Sequence, residues 1–260
     1  MPDAGKNRRE FLKAAAAAGA AGLWVVLIPK PGAAQRVHVI EEAKAKGLPE
    51  WLNHYYVYVI DTAKCIGCGG CVRACERENN VPAGYHRTWV ERYQVNDEGH
   101  VFVESPKGGM EGFPLHHEAP GKVTKGFFVP KMCNHCRNTP CTQVCPVHAS
   151  YETPDGVVLV DKKVCIGCGY CVQACPYGSR YLDPRDHTAD KCTWCYHRIT
   201  KGLLPACVTV CPTKTRVFGD MKDENSLARE IVETLRVTTL KPELNTEPFC
   251  FYLGLDRAVR

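Results

Sequence analysis

The most informative segment of this chain is Cys165-Ile-Gly-Cys-Gly-Tyr-Cys-Val-Gln-Ala-Cys-Pro176. It has three cysteines at intervals of three residues, a fourth after three more residues, and a proline directly behind. This spacing is typical of [4Fe–4S] ligation in which the loop binds three corners of a cubane and the fourth cysteine serves a second cluster. Pro176 is expected to end the short helix that carries Cys175, because proline lacks an N–H and restricts φ. The stretch therefore predicts a partner motif elsewhere in the chain.

The cysteine content of the chain indicates several such sites. There are 17 cysteines in 260 residues, and all but Cys250 fall into four groups of four, which predicts four [4Fe–4S] clusters. Cys250 has no cysteine near it in the sequence, so we expect a small buried residue there. The first motif comprises Cys65, Cys68, Cys71 and Cys75, the second Cys133, Cys136, Cys141 and Cys145, the third Cys165, Cys168, Cys171 and Cys175, and the fourth Cys192, Cys195, Cys207 and Cys211.

The first and third motifs are near copies of each other. Cys65-Ile-Gly-Cys-Gly-Gly-Cys-Val-Arg-Ala-Cys75 differs from the corresponding part of the third motif at two positions. An internal repeat at this level predicts an α+β fold of two interleaved ferredoxin-like units, built from short strands and helices. Glu76 stands where the third motif has Pro176. We therefore expect the helix behind the first motif to continue through residues 77–80.

Zinc sites and disulfide bonds are the alternative uses of so many cysteines. Four-thiolate zinc sites also use C-x2-C pairs, and disulfides persist in oxidising compartments. Here two motifs add a third cysteine after two more residues, and three motifs end in Cys-Pro. This spacing disfavours both zinc and disulfides. It also favours [4Fe–4S] over [3Fe–4S] centres, because no motif lacks a cysteine.

Residues 1–34 have the features of an export signal. Arg8 and Arg9 precede an apolar, alanine-rich run over residues 14–28, which is too short to span a bilayer comfortably. The paired arginines resemble a twin-arginine signal, with a plausible cleavage site at Ala34. A cytosolic amphipathic helix is the alternative, but an unbroken apolar run fits it poorly. After this segment no run approaches 18 apolar residues, so no membrane span is expected in the mature chain.

The rest of the chain is expected to form two connected parts. Residues 35–220 should form the four-cluster domain, with an insertion over residues 76–132, and residues 221–260 a C-terminal docking tail with a helix capped by Ser226. His116 and His117, which lie in an expected loop over residues 108–126, are interpreted as solvated rather than as metal ligands. The expected strands cover residues 57–60, 88–95, 100–104, 156–160, 216–220 and 249–253, the second and third of them forming a hairpin, and the helix is expected over residues 226–235.

Several residues beside the cysteines carry weaker predictions. His135, inside the second motif, is expected to form hydrogen bonds or lie on the surface, because four cysteines already satisfy a cubane. Trp194 is expected to pack, with exclusion of water from its cluster as the alternative. Cations near the cysteines could be attracted by anionic clusters or be solvated loop charges, and these two interpretations are equally weighted. These cations are Lys64, Arg73, Lys131, Arg137, Lys162, Lys163, Lys191 and Arg198.

The order of the motifs resembles the four-cluster iron–sulfur subunit of molybdopterin oxidoreductases. It is most similar to the members that serve polysulfide and tetrathionate reductases and the formate-dependent nitrite reductase system, and the resemblance covers roughly residues 55–253. Four further segments carry it, namely Glu78-Asn-Asn-Val-Pro82, Arg87-Thr-Trp89, Tyr177-Gly-Ser-Arg-Tyr-Leu-Asp183 and Phe218-Gly-Asp220.

The resemblance also implies which cysteines share a cluster, which the spacing alone leaves open. It implies that the first and fourth motifs exchange their last cysteines, as do the second and third. The implied ligand sets are Cys65, Cys68, Cys71 and Cys211; Cys192, Cys195, Cys207 and Cys75; Cys165, Cys168, Cys171 and Cys145; and Cys133, Cys136, Cys141 and Cys175.

The function implied by the resemblance is electron transfer. Four clusters would relay electrons between a molybdopterin-containing catalytic subunit and an integral membrane, quinone-reactive subunit of the polysulfide reductase type, at the periplasmic face of the cytoplasmic membrane. No nucleophile–base pair and no glycine-rich phosphate loop stands out in the sequence, so the chain is expected to be a non-catalytic subunit. The net charge of +5 requires no nucleic-acid partner.

Three alternatives remain open at this point. The partner could be a periplasmic hydrogenase or formate dehydrogenase, although subunits of that kind often carry a C-terminal membrane helix. The chain could be a free soluble polyferredoxin, against which the insertion and the C-terminal tail argue weakly. A zinc-stabilised scaffold is the third alternative, and it would show no visible absorption.

Overall fold

The structure is a computed structural model that describes residues 53–114 and 121–259. The export segment, His116 and His117 lie outside these ranges. The strands are β1 (Tyr56–Asp61), β2 (Thr88–Asn96), β3 (Val101–Glu104), β4 (Val123–Met132), β5 (Ser150–Glu152), β6 (Val158–Val160), β7 (Arg180–Leu182), β8 (Ala189–Lys191), β9 (Arg216–Asp220), β10 (Val237–Thr238) and β11 (Cys250–Leu253). The helices are α1 (Gly70–Asn79), α2 (Pro140–Gln143), α3 (Tyr170–Gln173), α4 (Tyr196–Ile199), α5 (Ala206–Thr209) and α6 (Leu227–Thr234), with 3-10 turns at Thr62–Lys64, Pro106–Gly109 and Pro242–Leu244.

The largest sheet of the described region brings both ends of that region together. Its strand order is β10-β11-β1-β9, with β11 parallel and β9 antiparallel to β1. Every residue of β1 is buried, as expected of a central strand covered on both faces. The predicted strands at 57–60, 216–220 and 249–253 are confirmed. The sequence did not show that the last of them adds to the first in parallel.

Aromatic side chains fill the core beside this sheet. Trp194 is almost fully buried and contacts the rings of Tyr58, His135 and Phe218. Rings in such tilted and edge-on contacts contribute large buried apolar areas to the core. Packing, the expected role of Trp194, is therefore confirmed. Cys250 is also fully buried, as predicted.

The insertion forms a second sheet in the order β3-β2-β4. The predicted hairpin of β2 and β3 is confirmed, but the prediction of a loop over residues 108–126 is wrong at its end. β4 begins at Val123 and pairs antiparallel with the whole length of β2, from Thr88 opposite Met132 to Asn96 opposite Val123. Glycine weakens a strand, so the local sequence around Gly126 does not predict β4. Pairing with a long neighbouring strand overrides that local preference.

Two small ladders complete the α+β fold. β5 pairs with β6, and β7 pairs with β8, each antiparallel over three residues. Only β6 was predicted, because a three-residue strand carries almost no alternation of its own. β5 lies between the second and third motifs and β7 between the third and fourth, so the ladders hold the connections between the motifs.

The helices follow the sequence signals more closely. α1 continues to Asn79, as expected from Glu76 in place of a proline, whereas α3 ends at Gln173 after four residues. Ser226 caps α6 and accepts a hydrogen bond from the backbone N–H of Arg229, as predicted. In the ranges that the structure describes, none of the helices has the length and apolar character needed to cross a bilayer.

Candidate iron–sulfur centres

The loops of the first and third motifs have nearly the same backbone. Gly67 and Gly69 have φ values of 67° and 71°, and Gly167 and Gly169 have φ values of 70° and 76°. Such left-handed conformations disfavour side chains, which explains the glycines of each Cys-Ile-Gly-Cys-Gly. Each loop then enters a helix at the residue after its second glycine. The repeat in sequence is therefore a repeat in conformation.

The first motif shares a cavity with the end of the fourth. Cys65, Cys68 and Cys71 line this cavity together with Cys211, which lies more than a hundred residues later in the chain. Arg216 also lines it. The structure thus brings together the four cysteines that the resemblance assigned to one cluster.

A second cavity lies deeper in the same half of the protein. It is lined by Cys192, Cys195 and Cys207 of the fourth motif and by Cys75, the last cysteine of the first. All four are buried. Cys75 of the first motif therefore lines the same cavity as three cysteines of the fourth, which are the four members of the second implied ligand set.

The second and third motifs are also interleaved. The charges of Cys133, Cys141 and Cys175 add to the effect of burial in raising the pKa of Cys136, which indicates that these four thiols lie near one another. Cys171 packs in an apolar cluster with Cys141.

The surrounding elements bring two members of the remaining implied set together and a third near them. Cys165 packs beside Cys171 in the same apolar cluster. Cys145 follows helix α2, which packs on the Cys171-bearing helix α3. Cys168 lies at the exposed tip of its loop.

Hydrogen bonds reach the sulfur atoms in the interior. Nδ2 of Asn79 donates to Sγ of Cys75 (3.5 Å) and of Cys195 (3.6 Å). The hydroxyl of Tyr58 lies 3.2 Å from Sγ of Cys207. Asn79 was missed in the sequence, although the predicted extension of α1 places it one turn after Cys75. Hydrogen bonds of this kind to ligand sulfurs tune the reduction potential of a cluster.

Buried donors without partners show that the cavities suit anionic groups. Among the described residues, Nη1 of Arg216 and Nε1 of Trp194 are buried without a hydrogen-bond acceptor, and each side chain lines one of the cysteine cavities. Buried N–H groups are normally paired, because leaving one unpaired is costly. A sulfide-containing cluster on the four cysteines would supply acceptors. The residues present therefore fit [4Fe–4S] clusters.

Burial makes several of these thiols harder to deprotonate. Burial raises the pKa of Cys65 and of Cys141 to about 11 and that of Cys136 to about 12, with further contributions from neighbouring thiols. Only thiolates bind iron, so cluster assembly must release protons from these groups. The unfavourable burial of the thiolates is thus offset only when metal is bound.

His135 is neither at the surface nor a ligand. It is fully buried, its Nδ1 accepts a hydrogen bond from the N–H of Val158 (3.0 Å), and its Nε2 lies 3.0 Å from the carbonyl oxygen of Cys192. Because Nδ1 accepts, Nε2 carries the proton and donates, and burial lowers the pKa of the ring well below its usual range. The hydrogen-bonding role is confirmed and the surface location is wrong.

The cations beside the cysteines are either buried or at least partly exposed to solvent. Of the eight that the sequence singled out, Lys191 alone is buried. The structure adds Arg180 and Arg216, which the sequence analysis missed. Both stand five residues after a last cysteine, in the pattern Cys-Pro-x-x-x-Arg of the third and fourth motifs. That shared spacing was the available signal.

The structure also bears on the alternative uses of cysteine. All 17 cysteines are unpaired. In residues 53–114 and 121–259, no three His, Cys, Asp or Glu side chains converge as ligands of a single metal ion.

Comparison with known proteins supports iron–sulfur binding. Two families, each described as a 4Fe-4S dicluster domain, match residues 64–149 and 124–221. The chain is 44% identical to the B subunit of tetrathionate reductase from Salmonella typhimurium, over 79% of this chain and 75% of that protein. It is 44% identical to the corresponding tetrathionate reductase subunit from Archaeoglobus fulgidus, over 85% of this chain and 93% of that protein. The B subunit of polysulfide reductase from Wolinella succinogenes is 38% identical over 78% of this chain and 95% of that protein.

Proposed function

This chain belongs to the iron–sulfur B subunits of molybdopterin oxidoreductases, and from that premise we propose that it relays electrons through four [4Fe–4S] clusters. It is an electron-transfer subunit rather than a catalytic one. The proposed relay runs between a molybdopterin-containing catalytic subunit and a quinone-reactive membrane subunit of the polysulfide reductase type. The names of the relatives, tetrathionate and polysulfide reductases, support a sulfur-compound reductase as the complex.

The exposure of the four cysteine groups is the observation that carries this proposal. The two near-copy loops each present an exposed cysteine, Cys68 and Cys168, next to isoleucines Ile66 and Ile166, which are 58% and 64% exposed. The two other groups are almost entirely buried. A relay needs surface clusters that exchange electrons with partners and insulated clusters between them, and this arrangement supplies both.

The proposed ligand sets are the four that the sequence resemblance implied. The two shared cavities support the sets of the first and fourth motifs, and the convergence on Cys136 supports one set of the second and third. In each proposed set, three cysteines come from one motif and the last from its partner. This exchange ties each pair of motifs into one unit and places the paired clusters close together, which a relay requires.

We also propose export by the twin-arginine route to the periplasmic face of the cytoplasmic membrane. Arg8 and Arg9 before the apolar run support it. This route carries proteins that are already folded, so the clusters would be inserted first. The exposed apolar residues around Cys68 and Cys168 support docking of the two partner subunits at these loops.

The cluster count is tested by anaerobic purification of the full chain, followed by iron and acid-labile sulfide analysis. About sixteen iron atoms per chain are expected, because each cubane holds four. About half that amount would contradict the four-cluster proposal. Co-purification of a molybdenum-containing subunit from native membranes tests the complex, and recovery of the chain alone in a redox-active form would favour a free carrier.

A further inference from the structure

Lys191 lies between two of the cysteine groups in the interior. Its side chain is buried, with 1% of the residue exposed, and Nζ donates hydrogen bonds to the carbonyl oxygens of Val158 and Cys192, the latter at 2.8 Å. Cys192 is the next residue in the chain, and Val158 packs with Cys141 in one apolar cluster, so thiols of two different groups lie near this side chain. These belong to the two buried cysteine groups. Lys191 therefore occupies the gap between the middle clusters of the proposed relay.

Arg216 occupies the corresponding gap in the unit formed by the first and fourth motifs. Only 2% of the residue is exposed, and Nη2 donates to Sγ of Cys71 (3.4 Å) and to Oγ1 of Thr88 (2.8 Å). The charge of Cys207, in the neighbouring group, also acts on this guanidinium. Tyr58 hydrogen-bonds Cys207 from the same side. Arg216 thus faces one thiol of each cluster in its unit.

Arg180 occupies the gap in the unit formed by the second and third motifs. Only 4% of the residue is exposed, and Nη1 donates to Oγ of Ser150 at 2.8 Å. The charges of Cys171, in the exposed loop, and of Cys141 and Cys133, in the other group, act on its guanidinium. Its position between two cysteine groups matches that of Arg216.

None of these three cations, Arg216, Lys191 and Arg180, has a carboxylate within 4.0 Å among the described residues. Arg87 shows the contrast. It also approaches a cluster cavity, but Asp190 pairs with it at 2.8 Å. A buried cation without a counter-ion is strongly destabilising, so an anion must balance each of the three. The clusters, with their thiolates and sulfides, are the anions available at these positions.

We infer that Arg216, Lys191 and Arg180 each set the reduction potentials of the two clusters that flank it. We call them the gap cations. The inference rests on the proposed function, because it requires four clusters in the proposed order. It assigns one buried positive charge to every step of the relay.

The physical effect of a gap cation follows from Coulomb attraction. Reduction adds one negative charge to a cluster, and a cation stabilises the reduced form more than the oxidised form, which raises the potential. A cation placed between two clusters acts on both. The electron is therefore stabilised on either side of each gap, and the difference between the two potentials changes less than the potentials themselves. Electron transfer from one cluster to the next therefore does not become strongly unfavourable in free energy.

The test is an EPR-monitored redox titration of the full chain carrying Lys191→Met. The potentials of both clusters beside Lys191 are expected to fall together, whereas the two surface clusters shift less. Lys191→Arg keeps the charge and should keep both potentials close to those of the unaltered protein. Lys125→Met is the control, because Lys125 is exposed and pairs with Asp256, and it should leave all four potentials unchanged.

Two results would overturn the inference. One is a Lys191→Met protein with unchanged potentials, and the other is an equal shift in Lys191→Met and Lys191→Arg. If Lys191→Met assembles fewer clusters, Arg216→Gln is measured instead. In that variant the reduction potentials of the clusters of the first and fourth motifs should fall together. Absence of this paired shift would refute the role of the gap cations. Iron content of the unaltered chain separates the two proposals. A protein with fewer than four clusters refutes the proposed relay, whereas four clusters without paired shifts refute only the gap cations.

Discussion

The first and third motifs form the same loop in two different surroundings. Their glycines have matching φ values and both loops place the second cysteine at the surface. The insertion packs against the glycines of the first loop, where the ring of Phe128 lies beside Gly67 and the carbonyl oxygens of Gly109 and Met110 lie beside Gly69. At Gly169 the atom nearest to the position that a Cβ would take is a leucine methyl at 3.9 Å. Ligand spacing therefore determines the loop, and neighbouring elements determine what covers it.

A single residue explains why the helices that follow the two loops differ in length. Pro176 directly follows the last cysteine of the third motif, and α3 ends after four residues. Glu76 in the same place allows α1 to run to Asn79, where Nδ2 reaches two sulfurs of the buried cavity. The equivalent of Asn79 in the third unit is Ser179, which donates to the carbonyl oxygen of Met132 instead. One substitution in the repeat thus changes which groups reach a cluster.

Replacing the last cysteine of either motif is expected to have the largest effect. Cys75→Ala should remove the cluster proposed at Cys192, Cys195 and Cys207, and Cys175→Ala the cluster proposed in the second motif, each with a loss of about four iron atoms. The reason is that each last cysteine lies with the triplet of the partner motif. Iron analysis and EPR of both variants would measure this.

The control for these variants is Cys250→Ala, because Cys250 is fully buried and lies in no cysteine group. It should retain all iron. Loss of the cluster held by the loop of the altered motif itself, rather than by its partner, would show that the cysteines are not exchanged.

The equivalent glycines offer the next largest contrast. Gly169→Ala should cost about 1–2 kcal/mol, because alanine must adopt a left-handed conformation in otherwise open space. Gly69→Ala carries the same strain and adds overlap with two backbone carbonyls, for which overpacking costs about 1–3 kcal/mol more. Anaerobic chemical denaturation of the two proteins gives the comparison. Equal losses of stability would mean that the insertion does not constrain the first loop.

A further contrast comes from exchanging the residues after the last cysteines. Glu76→Pro should cost about 3 kcal/mol, because it removes a hydrogen bond inside α1 and its ring clashes with the preceding turn. Pro176→Glu, which lies outside a helix, should cost about 1 kcal/mol or less. Thermal unfolding measures both changes, with the exposed Arg77→Ala as the control in α1. A cost for Glu76→Pro as small as that of Pro176→Glu would indicate that the end of α1 adds nothing to stability.

Sequence reasoning found the elements with strong local signals and missed those that depend on a neighbour. Ser226 capping α6 and the extension past Glu76 were read from single residues, and both are confirmed. β4, β5, β7, β8 and β10 were missed, since short or glycine-containing strands form only against a paired strand. The proposed cluster ligands were all recognised as cysteines, but Arg180 and Arg216 were not recognised as their neighbours.

The number of cysteine groups, their [4Fe–4S] spacing and the two matching loops could all be predicted from the amino-acid sequence. These depend on the spacing of ligands a few residues apart and on glycines with positive φ, which are local properties. The shared cavity of Cys75 and the fourth motif, and the burial of Lys191, Arg180 and Arg216, emerge only from the tertiary structure. Those arrangements join residues distant in the chain, and they exist only after the strands have paired and excluded water from the charges they enclose.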